Sequence, residues 1–310
     1  MSENSGMINE GSLNDVLDRI DPNLPILIAG PTASGKSALA MEIAARTGGP
    51  IVNADAMQVF ADWRILTARP SAEAEAIVPH ALYGHVPGHV EYSVGRWLRD
   101  LAPLLEGPTP VIVGGTGLYF TALTEGLAPI PEIPDEVRRI ATKRIATDGI
   151  NRLLGELDPE TRARIDGRNP MRVQRAWEVL TATGRGLAAW QDETAPPLLP
   201  LSGAAAILVH APKDWLNDRI ERRFARMISD GLLDEVRANA PAWHPARPSA
   251  KAIGAAELIA HVRGETSLDD AREAAIVATR QFAKRQRSWF RGRMSGWQTM
   301  RPLSDMGASA

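Results

Sequence analysis

The chain has 310 residues, 44% of them apolar and 23% charged, the composition of an ordinary globular protein; it excludes a disordered chain, a collagen-like repeat and a long coiled coil. Thirty-five Lys and Arg stand against 37 Asp and Glu, a net charge of −2, so global charge announces no nucleic-acid partner and local charge must be read instead. Cysteine is absent, which excludes disulfides, thiol catalysis and Cys-ligated zinc or iron–sulfur sites.

Residues 1–20 are polar and slightly acidic, without the features of a secretory signal, and are expected to form a flexible tail. No run approaches the ~20 apolar residues that span a bilayer. The expectation is a cytoplasmic protein with no membrane association. The apolar run 25–30 predicts a strand, and 37–47 carries apolar residues at helical spacing before a Gly48-Gly49-Pro50 stop. Further buried strands are predicted ending at Asp55 and at Thr116, with a helix over 92–105 between them. Strands alternating with helices predict an α/β fold with a parallel sheet.

A proline-rich joint at 128–134 changes the pattern, and the stretch to Trp190 reads as helices without a strand. The segment 205–211 resumes the sheet, and helices are expected at about 213–230, 232–239, 253–263 and 267–292. The organisation expected is a core from 21–130 and 191–310, interrupted by a helical insertion over 131–190.

Gly30-Pro31-Thr32-Ala33-Ser34-Gly35-Lys36-Ser37 matches G-x-x-x-x-G-K-[ST]. Glycines allow backbone N–H groups to face an anion, the following helix adds its positive end, Lys36 adds a cation and Ser37 can ligate Mg²⁺. The motif points to a phosphate compound without naming it. In an open α/β sheet ligands gather beyond the carboxyl ends of the strands, so Asp55 and the Gly114-Gly115-Thr116 turn should rise beside this loop. Asp55 could cap a helix, serve as a general base or hold Mg²⁺ indirectly. Thr116 could be turn chemistry or a hydroxyl for the phosphate. His80, His85 and His89 lie in a Pro/Gly-rich loop with no carboxylate pattern beside them, a poor metal site.

The segment 274–293 predicts a helix with an apolar stripe of Ala275, Ala278, Phe282 and Trp289. Arg280, Lys284, Arg287 and Arg291 share another face, and with Arg285 and Arg293 they make six basic residues and no acidic one from 280 to 293. Such a face is either solvated or a contact for nucleic-acid phosphates, with Gln281 and Gln286 available to bases.

Taken in order, GPTASGKS at 30–37, NADAMQV at 53–59, LTARPS at 66–71, VGGTGLYFTAL at 113–123, RNPMRVQRAWEVLTATG at 168–184 and ATRQFAKRQRSWFRG at 278–292 resemble the bacterial tRNA dimethylallyltransferase family, from about Ile26 to Gly292. The resemblance implies a P-loop NTPase-like parallel-sheet core with a helical insertion. It implies transfer of a dimethylallyl group from dimethylallyl diphosphate to N6 of the adenosine following the anticodon in tRNA, with release of pyrophosphate and with Mg²⁺ as cofactor. Residues Gly30 to Ser37 become the diphosphate loop, Asp55 the general base, and Thr116 and Lys36 its catalytic companions. Asp55, Ala56, Met57, Gln58, Thr116, Arg138, Met171, Arg172, Val173, Gln174, Arg175, Lys251, Arg280, Gln281, Lys284, Arg285, Gln286 and Arg287 become the tRNA contacts of a monomer. Ala56, Phe60, Ala81, Met171, Ala255 and Ala256 depart from the family pattern and remove hydrogen-bonding or cationic groups, while the P-loop, Asp55 and Thr116 keep it. Rival readings are a small-molecule kinase, an enzyme prenylating free adenine nucleotides, and an RNA-binding protein without turnover.

Overall fold

The structure is a computed structural model that describes residues 20–302; the expected N-terminal tail lies almost wholly outside them. Six strands form one parallel sheet: β1 (Ile26–Ala29), β2 (Ile51–Asn53), β3 (His80–Ala81), β4 (Val111–Gly114), β5 (Ala205–Val209) and β6 (Gln298–Met300), in the order β3-β2-β4-β1-β5-β6. β1 is central, with Ile26 beside Val111 on one side and Ala205 on the other. The described residues fall into two compact units, one drawn from Met1–Thr124 and Leu198–Ala310 and the other from Glu125–Pro197.

β1, β2 and β4 are buried throughout because both faces of the sheet are covered, which is why they read as unbroken apolar runs. Successive side chains point to opposite faces. Ile26 and Ile28 pack with Leu39, Ile43 and Ala44 of α1 (Lys36–Thr47), while Leu27 and Ala29 pack with Trp97 and Leu101 of α3 (Val94–Leu101) and Phe120 and Leu123 of α4 (Gly117–Glu125). α1 stops at Gly48, whose φ of 74° lets its N–H close onto the Ala44 carbonyl. The helix expected over 92–105 is α over Val94–Leu101 and tightens to a 3₁₀ turn over Ala102–Leu105, where Pro103 has no N–H to continue the α ladder.

Two edge strands and one short helix, α2 (Ala72–Ile77), have no counterpart in the expected elements. β3 and β6 hold two and three residues, too few for a period to show, and His80 is therefore a strand residue instead of a loop residue.

The C-terminal helices α10 (Lys213–Ser229), α11 (Leu232–Asn239), α12 (Ala255–Val262) and α13 (Leu268–Arg293) share a core of Ile220, Phe224, Leu232, Leu258, Ala271 and Ala275. α13 begins at Ser267, whose hydroxyl accepts from the Asp270 N–H; Asp269 and Asp270 sit at its positive end and Arg291 and Arg293 at its negative end. Its buried side chains are Ala271, Ala275, Ile276, Ala283, Gln286 and Phe290. The expected stripe is corrected there: Ala278, Phe282 and Trp289 are only partly buried, and a polar residue, Gln286, takes a place in the buried row.

The second unit contains α5 (Asp135–Asp148), α6 (Ile150–Glu156), α7 (Pro159–Arg164), α8 (Pro170–Thr183) and α9 (Leu187–Asp192) and no strand among its described residues. Its own core joins Ala141, Leu153, Leu157, Val173, Ala176 and Trp177. The Asn169-Pro170 pair opens α8: the Asn169 side chain accepts from the N–H groups of Met171 and Arg172, and Pro170 occupies the first turn, where its missing N–H costs nothing.

Candidate active site

The loop between β1 and α1 departs from ordinary backbone at two places. Gly35 has φ +85° and Ala33 φ +64°, a left-handed conformation costing an alanine about 1–2 kcal/mol. The Ala33 carbonyl is held in that conformation by the Arg219 Nε at 3.1 Å. The Ser34 N–H is taken by the Pro31 carbonyl at 3.2 Å and its hydroxyl is buried, so Ser34 shapes the loop from inside. The first N–H groups of α1 have no intrahelical acceptor and remain available to an anion. Ser37 is exposed in that same turn.

Lys36 is partly exposed, and its ammonium donates to the Pro31 carbonyl at 3.3 Å. Burial pushes its pKa down from 10.5 to about 8, against the pull of the Asp55 carboxylate and with help from the Arg223 charge. Arg223 donates to the Thr32 hydroxyl at 3.3 Å, and burial lowers its pKa too, opposed by Asp55 and reinforced by Arg219. Lys36, Arg219, Arg223, Asp55 and Ser37 line one cleft of about 770 Å³, which also carries Arg64, Arg69, Arg222 and Arg226. Seven cationic side chains against Asp55 and Asp230 make it a site for a compact polyanion.

Asp55 follows β2, and buried Asn53 fixes it: Asn53 Oδ1 accepts from the Asp55 N–H at 2.8 Å and Asn53 Nδ2 donates to the Asp55 carbonyl at 3.0 Å. Asp55 Oδ1 accepts from the Met57 N–H at 2.9 Å, a local turn that leaves Oδ2 outside that bond. Tyr83 and Tyr119 lie nearby; burial first, and then the Asp55 charge, raise their hydroxyl pKa values and keep them neutral. The Thr116 hydroxyl accepts from the Ala56 N–H at 2.9 Å, tying the turn after β4 to the turn after β2.

In the Gly114-Gly115-Thr116-Gly117 turn, Gly114 lies against the Ala54 backbone, and Gly115 and Gly117 lie against α13. A Cβ on Gly115 would stand 2.3 Å from Gln286 Nε2, and one on Gly117 would stand 2.1 Å from Trp289 Nε1. Gln286 donates to the Gly115 carbonyl at 2.8 Å, and its Oε1 accepts from the Thr32 N–H at 2.8 Å.

Several expected tRNA contacts are placed differently from the expectation. Gln286 is 5% exposed, so it cannot read a base without leaving both bonds. Val173 is fully buried in the core of the second unit. Arg280 is paired with Glu221 at 3.0 Å, and Gln58 donates its amide to the Thr67 and Ala68 carbonyls at 2.8 and 3.1 Å. In contrast Gln281, Lys284, Arg285 and Lys251 are exposed, and Arg287 partly so. Arg138, Met171, Arg172, Gln174 and Arg175 belong to the second unit, Met171 being 72% exposed. Of the departures from the family pattern, Phe60 and Ala255 are buried.

Arg219 and Arg223 were not singled out in the sequence, yet Arg219, Arg222, Arg223 and Arg226 recur at i, i+3, i+4 and i+7, a basic stripe legible on any helical projection. Glu235 was missed as well. Its carboxylate accepts the N–H groups of Arg64, Ile65 and Leu66 at 2.6, 2.8 and 2.9 Å and holds the loop that forms one wall of the cleft.

A parallel sheet with a Gly-x-x-x-x-Gly-Lys-Ser loop at its carboxyl edge and a cationic cleft beside that loop defines a P-loop α/β protein. The sequence model of the family described as IPP transferase matches residues 58–293, and that of isopentenyl transferase matches residues 25–76. A tRNA dimethylallyltransferase of Cereibacter sphaeroides is 61% identical over 290 residues, covering 93% of this chain and 92% of that one. The crystal structure of a tRNA isopentenylpyrophosphate transferase from Bacillus halodurans is 29% identical with a TM-score of 0.62, covering 90% of this chain and 89% of that one. The fold is shared as well by a eukaryotic dimethylallyltransferase, at 23% identity and a TM-score of 0.76, over 90% of this chain and 74% of that one. The chain belongs to the IPP transferase family, the family of the tRNA dimethylallyltransferases.

Proposed function

We propose that this protein transfers the dimethylallyl group of dimethylallyl diphosphate to N6 of the adenosine following the anticodon in tRNA, as a monomeric cytoplasmic enzyme. The observation that carries the reading is the meeting of Lys36, Arg223 and Asp55 in one cleft: two cations for a leaving diphosphate and a carboxylate for the attacking amine. The diphosphate lies on the N–H groups that open α1, with Lys36 and Arg223 at its oxygens. The bond from N6 to the allylic carbon forms as the carbon–oxygen bond breaks, the electron pair leaves with pyrophosphate, and the N6 proton passes to Asp55 Oδ2. The Thr116 hydroxyl, bonded to the Ala56 N–H, holds the acceptor side in register with Asp55.

No group of three or more His, Asp or Glu among the described residues forms a metal cage, and the exposed hydroxyl of Ser37 stands at the start of α1. That sparse donor set fits Mg²⁺, which keeps several waters and takes its other oxygens from substrate phosphates. Ser37 would hold it, and when bound it neutralises charge on the leaving group. The exposed Lys284, Arg285 and Arg287 of α13, with Lys251, would take tRNA phosphates.

Asp55→Asn tests the reading. An asparagine keeps an acceptor for the Met57 N–H, so the turn and the fold should survive. Single-turnover formation of N6-dimethylallyl adenosine at saturating tRNA and donor should fall ~10²–10⁴-fold. An equal rate in the variant would remove Asp55 as the base, and an inactive wild type would remove the reaction.

A further inference from the structure

Gln286 is the polar residue in an otherwise apolar row of α13, and it is 5% exposed. Its amide spans the two loops that the reaction must keep apart at a set distance. Oε1 accepts from the N–H of Thr32, inside the P-loop, and Nε2 donates to the carbonyl of Gly115, one residue before Thr116; both bonds are 2.8 Å. One turn further along the same face, the indole of Trp289 fills the space left by the missing side chain of Gly117. Gln286 itself is buried, the Gly115 carbonyl would otherwise be an unpaired buried acceptor, and the Thr32 N–H bond is half-buried.

We propose that Gln286 is a positioning residue, which sets the spacing between the donor cradle and the acceptor-side turn and fixes both to the helix that carries Lys284, Arg285 and Arg287. The proposal rests on the transfer reaction proposed above. Its chemistry follows from the two ends of the bridge: Thr32 belongs to the loop that holds the diphosphate, and Gly115 leads into the residue whose hydroxyl fixes the turn bearing Asp55. Loss of the bridge lets the allylic carbon and the amine drift relative to each other, and a misplacement of ~1 Å costs on the order of 10² in rate. It removes no charge from the tRNA face and no group that touches substrate.

Gln286→Leu keeps the size and deletes both bonds. In a single-turnover assay with dimethylallyl diphosphate and unmodified tRNA, its rate at saturation should fall roughly 10²-fold, while tRNA Kd from filter binding stays within about twofold of wild type because the phosphate-contacting cations are untouched. Gln286→Asn keeps the amide on a stem one carbon shorter, cannot reach both loops, and should lie nearer the Leu variant than wild type; it also carries the test if the Leu variant does not fold. A rate near wild type in either variant overturns the proposal. So does a loss of tRNA affinity parallel to the loss of rate, which would make Gln286 a tRNA contact, and so does failure of both variants to fold, which would make it a structural brace. Wild type in the same assay separates the two levels: if it transfers no dimethylallyl group the reaction itself is refuted, and if it does, the outcome bears on Gln286 alone.

Discussion

Lys36 should make the resting protein less stable than it could be. Its pKa falls from 10.5 to about 8 because burial disfavours the ammonium more than Asp55 favours it. At 1.36 kcal/mol per unit that is about 3 kcal/mol held against the folded state at pH 7, and partial exposure of the residue reduces it to about 2 kcal/mol. Lys36→Met removes the charge and keeps most of the stem. It also gives up the long bond to the Pro31 carbonyl, worth about 0.5–1 kcal/mol, so the ligand-free variant should be more stable than wild type by about 1–1.5 kcal/mol at pH 7. The pH dependence has a definite sign. Between about 8 and 10.5 the folded wild type has lost a proton that the unfolded chain retains, so wild-type stability rises through that window and the advantage of the variant disappears. The same substitution should slow transfer at least ~10²-fold, the consequence of the role proposed for this charge on the departing diphosphate. Urea unfolding of both proteins at pH 7 and 9.5, with single-turnover rates alongside, reads all three quantities. A variant less stable at pH 7, or a stability gap that does not narrow with rising pH, would refute the electrostatic account of Lys36.

Two further substitutions probe the site. Arg223→Ala should lower the transfer rate ~10²–10³-fold at unchanged tRNA Kd, because it removes a half-buried cation facing the P-loop while leaving α13 intact; a normal rate at saturating donor would assign Arg223 to packing. Arg287→Ala should weaken tRNA binding and reduce the slope of log K against log salt by roughly one unit, measured by filter binding across a salt series; an unchanged slope would mark the side chain as solvated.

The phosphate cradle was legible in the sequence because its determinants are local. The spacing of Gly30, Gly35, Lys36 and Ser37 specifies a loop closed by its own backbone, and the strands beside it are continuous apolar runs because a parallel sheet is covered on both faces. The helical character of the second unit was legible for the same reason, since the 3.6-residue period and the Asn169-Pro170 start signal need nothing from elsewhere in the chain. The edge strands β3 and β6 were hidden because two or three residues carry no period, and pairing with a longer neighbour makes them strands. Gln286 was read as a base contact from its place in a basic segment, yet its role is set by Thr32 and Gly115, 254 and 171 residues away in sequence. The glycines at 115 and 117 likewise look like turn residues until α13 lies against them and leaves no room for a Cβ. Arg219 and Arg223 became part of the site when α10 brought them to Ala33 and Thr32 of the P-loop, 186 and 191 residues away in sequence. The sequence by itself determined the longer strands and helices and the form of the P-loop, since both follow from short-range sterics and hydrophobic period. The tertiary structure decided which charged and polar side chains serve that loop, because burial and long-range hydrogen bonds exist only once the helices have packed.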